Sequence, residues 1–111
     1  MLIYKILLPG EWDELETTGH FAGSPFDHAS GFIHCSSRDQ VAGTALRVFG
    51  ADPALVIAAI DTVQLADSVR WEEAPGGEVF PHIYAALPLS AVAAMYRVPG
   101  ASAVDQVIPH A

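Results

Sequence analysis

Gly31-Phe32-Ile33-His34-Cys35-Ser36-Ser37 is the stretch on which the reading of this chain turns. It reads as a short apolar strand carrying one histidine, and it runs directly into a helix start. Strand side chains alternate between faces, so Phe32, His34 and Ser36 share one side while Ile33 and Cys35 point to the other. A second segment has the same grammar. In Phe80-Pro81-His82-Ile83-Tyr84 the residues Phe80, His82 and Tyr84 share a face. Two histidines, a serine and several aromatic rings are therefore expected to meet in one half-apolar cleft of the kind that takes a small molecule.

Outward from that stretch, Ser37-Arg38-Asp39-Gln40 fits a capping box, in which the Ser37 hydroxyl and the Gln40 side chain satisfy backbone donors reciprocally. The helix behind it carries Val41, Ala45, Val48 and Phe49 at helical spacing and ends at Gly50. Residues 54–60 form an uninterrupted apolar run, which predicts a central strand covered on both faces. Residues 2–8 read as a buried strand closed by Pro9-Gly10. An acidic helix over 11–18 follows, with Gly19 as its stop. Residues 20–30, rich in Gly, Ser, Pro and Asp, read as an irregular loop.

On the other side, residues 61–68 are a connection and 69–72 a strand. Ala74-Pro75-Gly76-Gly77 is a turn. Residues 79–84 form a strand that Pro81 confines to an edge or a bulge. Residues 88–94 suggest helical turns and 95–98 a last strand, and the tail from Pro99 has little to pack. Hairpins mixed with helices point to an α+β fold, a small mixed sheet with two to three short helices, in a single domain over residues 1–111.

Composition narrows the function. The 111 residues carry a net charge of −8. The cations are Lys5, Arg38, Arg47, Arg70 and Arg97, too few and too scattered for the phosphate contacts that duplex nucleic acid demands. With Cys35 as its one cysteine, the chain has no intrachain disulfide and nothing that points to an oxidising compartment. The apolar opening, interrupted by Lys5, is too short to cross a membrane. A cytoplasmic location follows as the expectation.

His34 and His82 are the candidate catalytic residues, since imidazole moves protons near neutral pH. For His34 the plainer reading is a half-buried histidine whose nitrogens are satisfied by backbone. Ser36 and Ser37 stand where a strand gives way to a helix N-terminus, a natural anion site, or else simple caps. Arg38 in the first helical turn opposes the macrodipole, which makes sense if it reaches a phosphate or carboxylate. Trp71, Glu72 and Glu78 flank the turn before the His82 strand and are candidate ligand contacts, as are Lys5, Phe80 and Tyr84. Cys35 points away from His34 and reads as a packed thiol. His20, His28, His34, Cys35 and His82 lack metal-ligand spacing, so no metal is expected.

Several of these motifs, taken in order, resemble one family. Ile3-Tyr4-Lys5-Ile6, Glu11-Trp12, Gly31-Phe32-Ile33-His34-Cys35-Ser36 and Gln40-Val41 are similar to its first half. Arg70-Trp71-Glu72, Phe80-Pro81-His82-Ile83-Tyr84, Pro88-Leu89 and Ala91-Val92 are similar to its second. The match is to the domain-of-unknown-function 952 family, over a core of about residues 2–98, with 99–111 left as a tail. That family looks like a minimal ADP-ribosyltransferase-like fold, akin to RNA 2′-phosphotransferases that bind NAD between two small sheets. The resemblance implies Lys5, His34, Ser36 and His82 along the cleft, Lys5 near the early His or Arg of relatives, and Glu78 as the candidate for their glutamate. NAD is a cofactor by that analogy alone. The expected function is binding of a nucleotide-like or phosphorylated small molecule, with transferase chemistry of the ADP-ribosyl or phosphoryl type. A non-catalytic binding module that keeps the fold is the alternative.

Overall fold

The structure, a computed structural model, describes residues 1–110. Its elements run β1 (Leu2–Leu7), α1 (Pro9–Thr18), β2 (His20–Phe21), α2 (Pro25–Ser30), β3 (Ile33–His34), α3 (Val41–Phe49) and β4 (Leu55–Asp61). They continue with β5 (Val69–Glu73), β6 (Val79–Ile83), β7 (Leu87–Pro88), β8 (Val92–Val98) and α4 (Val104–Val107). Short 3-10 turns link the later elements. The strands form two three-stranded sheets, ordered β1-β4-β8 and β3-β6-β5, and a small β2-β7 pair, all antiparallel. This is an α+β architecture. Among the described residues no helix is long and apolar enough to cross a membrane.

The apolar run that predicts a central strand is β4, flanked by β1 and β8. Residues 55–60 are all buried. Period-two alternation sends Val56, Ala58 and Ile60 into one core with Ile3, Leu7, Leu15 and Ile83. Leu55, Ile57 and Ala59 enter a second core with Tyr4, Ile6, Val41 and Ala45. A strand apolar on both faces thus separates two cores.

The opening stretch joins the sheets. Ile33 and His34 pair with Ile83 and His82 of β6. Two residues on, Ser36 pairs with Tyr4 of β1 through two 2.8 Å backbone hydrogen bonds. The chain leaves one sheet and enters the other between His34 and Ser36. Pro81 explains why β3 stops where it does. Cys35 N–H donates to the Pro81 carbonyl at 3.1 Å, but proline has no N–H to return the bond. The expectation of an edge or bulge is corrected: β6 is the central strand of its sheet, and it tolerates Pro81 because its neighbour on that side is two residues long.

Three further expectations need correction. Residues 20–30 are not an irregular loop. They hold β2 and α2, and α2 is nucleated by Ser24-Pro25-Phe26-Asp27. The Ser24 Oγ accepts from Asp27 N–H at 3.1 Å, Asp27 Oδ2 accepts from Ser24 N–H at 2.9 Å, and Pro25 occupies the first turn. Gly31, at φ 87°, ends it. Residues 92–94 belong to β8 and not to a helical turn. The tail packs: Ala101, Val104 and Ile108 are buried in the second core, because small apolar residues at helical spacing suffice to seat a one-turn helix. Ser37 and Gln40 do exchange hydrogen bonds, 3.0 Å from Ser37 N–H to Gln40 Oε1 and 3.3 Å from Gln40 N–H to Ser37 Oγ. They close a turn ahead of α3, which starts only at Val41.

Candidate functional site

Because His34 and His82 are directly opposed across β3 and β6, their side chains leave the same face of the sheet. Their ring centroids are 5.6 Å apart. Phe32 lies between and beside them, 3.9 Å from His82 in a stacked contact and 4.6 Å from His34. Phe26, from α2, stacks on His34 at 4.3 Å and leaves most of its own ring exposed. The face is continued by Tyr84, 5.4 Å from Phe32.

Each imidazole is held through Nδ1 by a carboxylate. Asp27 Oδ1 lies 2.6 Å from His34 Nδ1, and Glu72 Oε1 lies 2.8 Å from His82 Nδ1. A carboxylate only accepts, so Nδ1 carries the proton and Nε2 keeps the lone pair in the neutral ring. Among the described residues, the side-chain hydrogen bonds of both rings run through Nδ1, and Nε2 of neither has a partner.

Asp27 is the residue that sequence reasoning missed. It is almost wholly buried and is saturated with donors: Lys5 Nζ at 3.0 Å, Ser24 N–H at 2.9 Å, His34 N–H at 3.1 Å and the His34 ring. Burial by itself raises a carboxyl, but the Lys5 ammonium and these hydrogen bonds outweigh it and hold Asp27 at about 2. Gly23, at φ 121°, passes so close that an added Cβ would fall 2.9 Å from Asp27 Cβ. The signal was present in the sequence as Ser-Pro-x-Asp, a helix start written inside a stretch whose composition says loop.

Glu72 is held more loosely. The Tyr84 hydroxyl donates to it at 2.6 Å. That bond first, and the His82 bond second, lower its carboxyl, while the Tyr84 hydroxyl is raised in return. Burial pushes the Cys35 thiol up to about 12, so it is a packed, protonated thiol and no nucleophile.

The cleft in front of these rings measures about 720 Å³, within the range of small-molecule sites. Lys5, Asp27, Phe32, His34, Ser36, Phe80 and His82 line it, and Arg47 of α3 stands at its rim with its guanidinium 5.9 Å from the Phe80 ring. Of the expected residues, then, His34, His82, Ser36, Phe80 and Lys5 come together, with Tyr84 at the edge. The Lys5 ammonium faces protein partners, Asp27 and the His34 carbonyl at 2.9 Å.

The other expected contacts lie elsewhere. Arg38 is bound by the tail: Asp105 at 2.8 Å, the Ile108 carbonyl at 2.8 Å and the Pro109 carbonyl at 3.0 Å. The docking corner expected at Ser36–Arg38 is therefore closed. The Ser37 amide is bonded to Gln40 and the guanidinium to the C-terminal carbonyls. Trp71 pairs with Pro81 and so faces away from His82. With Ser37 and Arg38 it lines a separate depression beside Met1, Leu2 and His110. Glu78 accepts from Gln40 Nε2 at 3.2 Å in an exposed turn and does not line the cleft. Arg47, which the sequence offered only as one of five cations, takes the place expected of Arg38.

Residues 6–95 match the model of the family described as "Protein of unknown function (DUF952)". The chain belongs to that family. The crystal structure of protein CC0527 from Caulobacter crescentus is similar at a TM-score of 0.80 and 41% identity, over 87% of this chain and 85% of that one. The solution NMR structure of the same protein gives a TM-score of 0.72 and 42% identity, over 85% and 81%. No curated protein matches the chain.

Proposed function

We propose that this DUF952 protein binds a small molecule combining a flat ring with a single phosphate group, a mononucleotide being the type, in the cleft before His34 and His82. The carrying observation is the pair of carboxylate-anchored imidazoles, 5.6 Å apart, on a platform of aromatic rings. Phe32, Phe26 and Phe80 offer π-faces to a ring. The Arg47 guanidinium offers donors to an anion, and each open Nε2 accepts from a ligand hydroxyl or amine in the neutral ring and donates in the imidazolium.

Charge selects among phosphorylated ligands. The cations lining the cleft are Lys5 and Arg47, and the Lys5 charge is balanced by Asp27 at 3.0 Å. That leaves one guanidinium for the ligand. NAD and ADP-ribose, the ligands implied by the ADP-ribosyltransferase-like resemblance, bring two phosphate groups to that one guanidinium and rank behind a ligand with a single phosphate.

Thermal unfolding with AMP, adenosine, inorganic phosphate, ADP-ribose and NAD tests the reading. AMP at a hundredfold excess over its Kd should stabilise by about 2.7 kcal/mol, and Phe32→Ala or Arg47→Gln should weaken that binding at least tenfold. No shift with any of the five, or an AMP shift unchanged in both variants, overturns it.

A further inference from the structure

We infer that His34 and His82 act as general base and general acid on one phosphodiester held in the cleft in front of them, hydrolysing it to a phosphomonoester and an alcohol. The inference rests on the ligand class proposed above and adds a reaction to it.

The spacing comes first. A base or acid must stand within about 3 Å of the atom whose proton it moves. Ring centroids 5.6 Å apart in an edge-on arrangement set both imidazoles side by side against the same cleft, where one reacting group in front of them can meet both. Both rings are oriented from behind through Nδ1, so both present Nε2.

The surroundings divide the labour. His34 sits on Asp27, whose charge is already balanced by the Lys5 ammonium at 3.0 Å. A proton added to His34 makes that cluster net positive. His82 sits on Glu72 at 2.8 Å, and the other group bonded to Glu72 is the uncharged Tyr84 hydroxyl. A proton on His82 makes a neutral pair with Glu72, although Arg70, with its guanidinium 4.9 Å from the Tyr84 ring centroid, adds some positive charge at the edge. The reaction needs one imidazole as base and the other as acid, and with the Lys5 ammonium already on Asp27 the base role is assigned to His34 and the acid role to His82.

The nucleophile is water. Cys35 is buried and protonated, and Ser36 is buried with its backbone paired to Tyr4. A water oxygen bonds to phosphorus as one of its protons passes to His34 Nε2. The P–O bond to the leaving alcohol breaks, its electron pair stays on that oxygen, and His82 Nε2 supplies the proton. His34 ends protonated and His82 neutral, and exchange with solvent through the open cleft restores the starting state. A diester carries one negative charge, which the Arg47 guanidinium matches.

The probe is 2′,3′-cyclic AMP, followed by 31P NMR, with AMP binding measured by calorimetry on the same wild-type preparation. Wild type should open the cyclic diester. His34→Gln and His82→Gln should each lose at least a hundredfold in kcat while keeping a cooperative melt. AMP binding without turnover of the cyclic diester overturns the acid–base pair and leaves the ligand reading standing. Absence of both overturns both. Turnover that survives in either histidine variant also overturns the pair.

Discussion

His34 and His82 face each other across one strand pair, but the carboxylates behind them are held in opposite ways. Asp27 is 2% exposed, and a lysine, two backbone amides and an imidazole all donate to it. It ties β1, α2 and β3 together while it orients His34. Glu72 sits on the outer strand β5, open to solvent, with a tyrosine and an imidazole as its partners. It orients His82, and its other bond is to the Tyr84 hydroxyl at the edge of the same face. Burial is what separates the two. The same carboxylate–imidazole contact belongs to the fold on one side of the cleft and only to the site on the other.

The widest separation between the two should come from removing each negative charge. Asp27→Asn leaves the Lys5 ammonium buried without a counterion, which costs roughly 3–5 kcal/mol. Glu72→Gln should leave the denaturant midpoint within the scatter of wild type. Equal effects of the two changes would break the comparison.

Acid sharpens it. Asp27 is held at about 2 against an ordinary 3.8. A carboxyl depressed by folding contributes stability that is complete above its ordinary value and disappears as pH falls through the folded one. On the order of 2 kcal/mol should therefore be lost between about pH 5 and pH 2. An Asp27→Asn protein should lack that part of the acid limb, while Glu72→Gln should keep it.

Arg38 provides a control outside both dyads. Its hydrogen bonds to Asp105 and the tail carbonyls predict that Arg38→Gln lowers stability by about 1–2 kcal/mol and leaves AMP affinity unchanged. A fall in affinity with unchanged stability would restore the anion site at the Ser36–Arg38 corner. The smallest effect belongs to Tyr84→Phe, which removes one donor from an exposed carboxylate. Its denaturant curve should overlay that of wild type, and only the pH at which Glu72 titrates should rise.

The same contrast explains what was legible in the sequence. Period-two alternation placed His34 and His82 on faces that could meet, and the apolar run at residues 54–60 identified the central strand, because both signals are local and depend only on strand geometry. Asp27 was hidden because its partners come from residues 5, 24 and 34, and because Gly23, Ser24 and Pro25 make the segment look like loop. The tail was misread since Ala101, Val104 and Ile108 carry little apolar area singly. Without a packed tail, Arg38 seemed free for a ligand. Long-range pairing decided which cation faces the cleft, and single-residue reasoning had no access to it.

The central claim is that both open Nε2 atoms belong to one ligand site. It is tested most directly by titrating AMP into protein labelled with 15N in histidine and following the ring nitrogens. The account predicts that the Nε2 resonances of His34 and His82 move together along one saturation curve, while those of His20, His28 and His110 stay in place. Movement of only one of the pair, or of the outlying histidines instead, would contradict it.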